Sequence, residues 1–324
     1  MDSPFDNKIF QEATLVKALS SHTYEAYFHK NWCIYSVPHG GYVTACFLQV
    51  AATHFNTTLA AQNQPHTTAL HVDFLRRTEV GPALFTVKDT KIGRQASVIH
   101  IALTQNGREE TLAVITNSNM HTETGATYPT TYRLNPEPIA VSFDQLSRNE
   151  DKNWRRQDNM PYKQFRKALE NMEFYFPRDG QKSRTCADQW VRLRRGEKWT
   201  NHSLGFLSDA WPISVEALRH TENPYDITPE AAANRKTDSK DIGTMWYPTL
   251  LLNIDFKKTL PAKGVEWLFV RAESKQIKNG RLDVEVTIKD ASGDLVAVSH
   301  HVTFAVGLER NLAKRGGGGG EAKI

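Results

Sequence analysis

The chain has 324 residues, a net charge of +4, 40% hydrophobic and 23% charged side chains, enough for two domains of about 150 residues each and too evenly mixed in charge for a nucleic-acid footprint. Its three cysteines, Cys33, Cys46 and Cys186, form no CxxC pair, which excludes a zinc-ligand or disulfide framework and leaves no metal or cofactor to expect. No apolar run reaches the about 18 residues of a membrane span and the start MDSPFDNKIF is too polar for a signal peptide, so a soluble intracellular protein is expected.

In chain order, the first feature is Pro38-His39-Gly40-Gly41-Tyr42, which runs straight into an apolar stretch of helical character at 43–52. Glycine is a poor helix former. Two at a helix start signal a tight turn, or a ligand approaching backbone N–H groups whose dipole favours negative charge. Next comes HVDFLRRT at 71–78, then an extended segment at 83–87. A strand at 97–103 leads into Asn106-Gly107, the signature of a tight hairpin. The polar, proline-containing connection from 120 to 185 is too long to stay structureless; a helix is expected at 163–172, and part of the span should pack across the domains.

The second half repeats the order. An apolar helix is expected over Ser203-Leu204-Gly205-Phe206-Leu207-Ser208-Asp209-Ala210-Trp211, continuing past Pro212 to Leu218. NIDFKKT follows, 182 residues after the matching DF motif of the first half. Leu282, Val284, Val286 and Ile288 then alternate with polar residues up to Ser292-Gly293. One apolar helix followed by four or five antiparallel strands, twice, is an α+β arrangement in which each sheet wraps its helix.

With PHGGY, HVDFLRR, LGFLSD and the repeat in place, the chain resembles the acyl-CoA thioesterase II-like double-hotdog family over about residues 25–120 and 186–306. The resemblance implies an N-terminal hotdog domain at 1–125, a linker at 126–185, a C-terminal hotdog domain at 186–310 and a tail at 311–324. It also implies an acyl-CoA or other acyl thioester bound between the halves and hydrolysed there. Two alternatives stay open: the same fold turned to dehydration, isomerisation or cyclisation in a biosynthetic pathway, or a non-catalytic acyl-CoA binding module. Oligomeric state is open too, a homo-oligomer included.

In such proteins the central helix aims its N-terminus at the thioester, so Gly40, Gly41 and Tyr42 become the expected substrate-binding residues, backbone N–H groups serving the oxyanion that hydrolysis develops. The family's hydrolytic residues are an Asp, a Ser or Thr, and a Gln. Carried over by position, they fall on Leu251, near Ser274, and on His301. The carboxylate is therefore expected to be lost. His39 is a candidate acid or base, as in hotdog dehydratases that use a His near the helix start. Asp209, inside an apolar helix, is either a raised-pKa carboxyl or a structural acceptor. His300 and His301 alternate across a strand, so at most one faces the site.

The chain ends in Gly316-Gly317-Gly318-Gly319-Gly320 followed by Glu321-Ala322-Lys323-Ile324. A small–basic–aliphatic end after a glycine tether is the pattern of peroxisomal signals. A peroxisomal import receptor is the expected partner for it, with the cytoplasm as the alternative location and lipid metabolism as the setting.

Overall fold

Every second residue of Ala96–Gln105 is buried, the period of a strand with one face on a core. The structure, a computed structural model, describes residues 7–234 and 245–308. The glycine run and the Ala322-Lys323-Ile324 end lie outside the described residues.

The first half supplies β1 (Val16–Ala18), β2 (Thr23–Phe28), β3 (His66–Phe74), β4 (Gly81–Lys91), β5 (Ala96–Gln105) and β6 (Arg108–Ser118). Then come β7 (Trp154–Arg156), β8 (Met172–Pro177), β9 (Cys186–Leu193), β10 (Thr249–Phe256), β11 (Leu268–Glu273), β12 (Ile277–Lys278), β13 (Arg281–Asp290) and β14 (Leu295–Phe304). Among the described residues these form one 14-stranded antiparallel sheet in the order β1-β2-β4-β5-β6-β3-β10-β14-β13-β11-β9-β8-β7, with β12 beside β13. The two DF strands, β3 and β10, meet in the middle, and their repeat-equivalent residues His71 and Asn253 are cross-strand partners. Asn106 and Gly107 both take positive φ, 53° and 74°, as the tight turn between β5 and β6 requires.

Two central helices, α1 (Gly40–Asn56) and α2 (Ser203–Ser208), pack against each other inside the curved sheet. Gly205 permits the approach: a Cβ there would lie 3.0 Å from the Ala45 amide nitrogen and from Leu48 Cδ1. α2 is shorter than its apolar pattern suggests. Pro212 lacks an N–H and disfavours helix at the residue before it, so the chain breaks after Asp209 and a separate helix forms at Ser214–Arg219.

The span read as a linker is more than a linker. Its Trp154–Arg156 and Met172–Pro177 segments extend the sheet edge. Leu146 and Trp154 pack with Trp190, Trp267 and Phe269 in a second apolar cluster apart from the helix-side core. The expected helix at 163–172 is instead two 3₁₀ turns, Lys163–Phe165 and Lys167–Asn171.

One irregularity decides which side chains reach the helices. β10 carries a bulge between Thr249 and Leu251, so that Thr249 opposes Thr303, Leu251 opposes Val302 and Leu252 opposes His301. The extra residue is Leu250. It puts Thr249 on the buried face with Leu252 and leaves Leu251 on the other.

Candidate active site

A cavity of about 310 Å³ opens where the halves meet. Six segments build it: residues 34–38, the start of α1, the chain leaving β3 (74–78), the 162–166 turn of the connection, and 209–216 and 245–250 of the second half. Its walls are rich in aromatic rings, with Tyr35 stacked on Phe165 at 4.7 Å and set edge-on to Trp246.

Asp209 is the carboxyl at the centre. It caps the end of α2, which points it at the start of α1, and its Oδ2 accepts the Gly41 N–H at 2.8 Å. The Thr249 hydroxyl also hydrogen-bonds to it. Burial pushes its pKa up to about 7, against the pull of the Gly41 N–H, the Arg166 charge and Thr249. Ordered helix-end donors hold the group in place while the apolar surroundings favour its protonated form.

Two buried imidazoles flank it. His39 Nδ1 lies 3.6 Å from Asp209 Oδ2 and His301 Nδ1 3.7 Å from Oδ1, both too far for a hydrogen bond. Burial lowers the pKa of each ring to about 3, Arg166 adding to the effect at His39 and His300 at His301. Both are therefore neutral at neutral pH, and neither forms an ion pair with Asp209 there. His39 Nδ1 accepts the Gly41 N–H at 3.1 Å as the helix N-cap, so a neutral ring carries its proton on Nε2. In that tautomer neither ring nitrogen of His39 is free to accept a proton. His301 has no exposure and lies behind Asp209, its Nε2 3.3 Å from Ser299 Oγ.

The structure brings together His39, Gly40, Asp209 and His301, and adds Thr249, which the regular two-residue alternation of the strand conceals. Other expectations are corrected. Ser274 is buried away from the cavity, its hydroxyl 2.7 Å from Ser214 Oγ. Tyr42 is fully buried between Phe28 and Trp32 and donates to the Ala13 carbonyl at 2.7 Å, a packing residue. The Gly41 N–H is already engaged by Asp209 and His39, and a Cβ on Gly41 would come within 2.7 Å of the Phe206 carbonyl oxygen. Helix crossing, rather than space for a thioester, is what requires this glycine. Leu251 faces away and is absent from the cavity lining, where Asp209 supplies a carboxyl.

Among the described residues, His22, His54 and Asp89 place ligand atoms within 4.8 Å of one another. They lie outside the cavity lining, and the Asp89 oxygens are each engaged by one of the two rings, at 3.1 and 2.9 Å. No helix among the described residues is long and apolar enough to cross a membrane.

Comparison with known proteins agrees with this architecture. Residues 28–118 match the acyl-CoA thioesterase N-terminal domain and residues 143–305 the acyl-CoA thioesterase C-terminal domain. The thioesterase-like protein TwmA of Talaromyces wortmannii is 36% identical over 340 residues, covering 95% of each chain. Among solved structures, a Thermobifida fusca protein described as a thioesterase II superposes with a TM-score of 0.68 at 20% identity, over 91% of this chain and 98% of that one. The acyl-CoA thioesterase II TesB2 of Mycobacterium marinum gives 0.61 at 18% identity, over 92% and 98%. The double hotdog that the family resemblance implies is the fold observed, and the chain belongs to the acyl-CoA thioesterase family.

Proposed function

We propose that the protein hydrolyses an acyl thioester, of coenzyme A or a similar pantetheine thiol, in the cavity between its halves. The observation that carries this reading is Asp209: a buried carboxyl with a pKa near 7, fixed by a helix-end N–H and lining the cavity. A carboxyl so tuned suits a general base at neutral pH. In its ionised form Asp209 takes a proton from a water molecule while that water's oxygen bonds to the thioester carbonyl carbon. The tetrahedral intermediate then collapses, the C–S bond breaks, and the proton passes to the departing thiolate. Thr249 orients the carboxylate, and the neutral His301 ring lies behind it. Exposed Arg76 and half-buried Arg77, both in the cavity lining, give the thiol carrier's phosphates a basic approach.

Dehydration by the same fold has one observation in its favour, the opposite tuning of His39 and Asp209 beside one cavity. The His39 tautomer weighs against it, because the ring nitrogen held by Gly41 is not free to take a substrate proton.

The deciding experiment follows thiol release from a panel of acyl-CoAs by the protein and by Asp209→Asn. Hydrolysis predicts release that falls about a hundredfold or more in the variant, the scale of a lost general base. Release from none of the thioesters, or unchanged release in Asp209→Asn, would overturn the reading.

A further inference from the structure

The cavity wall holds a second charged group that hydrolysis does not use. Arg166, in the short turn between the two 3₁₀ segments of the connection, is 7% exposed and lines the cavity. Its Nη1 donates to the Tyr225 hydroxyl at 3.2 Å and its Nη2 to the Trp211 carbonyl at 3.1 Å. Both acceptors are neutral, and among the described residues no carboxylate oxygen lies within 4.0 Å of it. The other buried arginine among the described residues shows the contrast: Arg271 grips Asp188 with two bonds of 2.6 and 2.7 Å. A buried guanidinium that no carboxylate of the described residues contacts directly is costly to hold, and a ligand's anion in the cavity would offset that cost.

The acidic groups nearby make no direct contact with it, although Asp209 feels its charge. Glu216 lines the same cavity, but its carboxylate accepts from Tyr162, Tyr247 and His220, with Arg219 beside it. Asp209 is held by Gly41 and Thr249. Several of the five guanidinium N–H groups therefore remain for a ligand in a cavity otherwise walled by aromatic rings. A planar donor fork in an apolar site selects a carboxylate, which it binds through two parallel bonds.

We propose that Arg166 is the specificity residue for the acyl group: the substrate carries a carboxylate at the end of its acyl chain, and Arg166 pairs with it inside the cavity. This rests on the hydrolytic reading above and names its substrate class, the half-thioester of a dicarboxylic acid. The aromatic walls take the chain between the two ends. The connecting segment, not either hotdog half, thus sets selectivity.

The test compares matched pairs of alkanoyl-CoA and ω-carboxyalkanoyl-CoA at several chain lengths, for the wild-type chain, Arg166→Met and Arg166→Lys. At the best length the ω-carboxy member should be favoured in kcat/KM by about thirtyfold or more, the low end for truncating one partner of a buried charge pair. In Arg166→Met that ratio should collapse towards one, while Arg166→Lys keeps part of it. The ratio cancels any general loss of folded enzyme, so a merely structural role for Arg166 would not move it. Equal turnover of the two members by the wild type overturns the proposal, as does a preference that survives Arg166→Met. Should the variants fail to fold, titration of the wild type with monomethyl alkanedioates and methyl alkanoates of equal length decides instead: tighter binding of the half-ester supports the subsite, and equal binding sinks it. Release of thiol from no thioester at all would overturn hydrolysis, while that titration still judges the carboxylate site.

Discussion

Asp209 Oδ2 sits 2.8 Å from the Gly41 amide nitrogen, a bond that spans 168 residues and joins the end of one central helix to the start of the other. The candidate carboxyl is thereby fixed by the packing of the two halves.

The two glycines at that junction should behave differently. A Cβ on Gly41 would meet the Phe206 and Gly205 carbonyl oxygens at 2.7 and 2.9 Å, backbone atoms that cannot yield without moving α2. Gly41→Ala is expected to cost about 1–3 kcal/mol, the range for overpacking, and to lower the melting temperature. A Cβ on Gly40 would meet Asp209 Oδ2 at 2.8 Å, the end of a side chain. Gly40→Ala should therefore cut turnover more than it cuts stability. Thermal melts and thiol-release rates on the pair check this, and equal melting temperatures would count against the helix-crossing account.

Activity should rise with pH through about 7, because the proposed general-base hydrolysis needs Asp209 ionised and its pKa is raised to that value. The Thr249 hydrogen bond stabilises the carboxylate, so losing it favours the protonated form. In Thr249→Val the midpoint of the kcat/KM profile should move to higher pH. A midpoint that stays put, or moves down, would remove Thr249 from the site.

How much of this was legible beforehand depends on the kind of regularity involved. The repeat, the turn at Asn106-Gly107 and the helix starting at Gly40 follow from local patterns, and the pairing of His71 with Asn253 turns a sequence repeat into a structural axis. Asp209 was visible as an odd carboxyl in an apolar helix, and His301 as a strand residue with a neighbour facing the other way. Thr249 was hidden, because strand alternation gives it the same face as Leu251 and only the bulge at Leu250 separates them. Arg166 was hidden for another reason. It sits in an irregular, polar connection with no periodicity, where burial comes entirely from tertiary packing.

The two buried imidazoles should make the protein acid-labile. Their folded pKa values, about 3, lie below the ordinary histidine value of 6.5. Between those limits the unfolded chain binds the extra protons, so this stability is fully present above about pH 6.5 and is lost as pH falls towards 3. Asp209 acts oppositely: its pKa is raised from 3.8 to about 7, so its contribution declines as pH rises across that window. Two groups outweigh one, and the net effect is loss on acidification. Denaturant midpoints measured down the acid limb should fall less steeply for His301→Gln than for wild type; parallel slopes would mean that the ring titrates normally in the folded state.

Leu251→Asp separates the placement of a catalytic carboxyl by family position from the proposed role of Asp209. Carried over by position alone, the catalytic carboxylate belongs at 251, and restoring it should raise thiol release. In the structure Leu251 lies outside the cavity lining and stands directly opposite Asp73 on β3. Directly opposed residues of an antiparallel pair share a face with their Cβ atoms about 5 Å apart, and like charges there are destabilising. The new carboxylate would therefore face Asp73 across the seam between the halves, with Asp209 and Thr249 on the other side of the sheet. Leu251→Asp is expected to lower the melting temperature modestly and to leave turnover no higher than wild type. A variant that released thiol faster than wild type, with an unchanged fold, would show that the 251 face of β10, rather than the Thr249 face, meets the substrate.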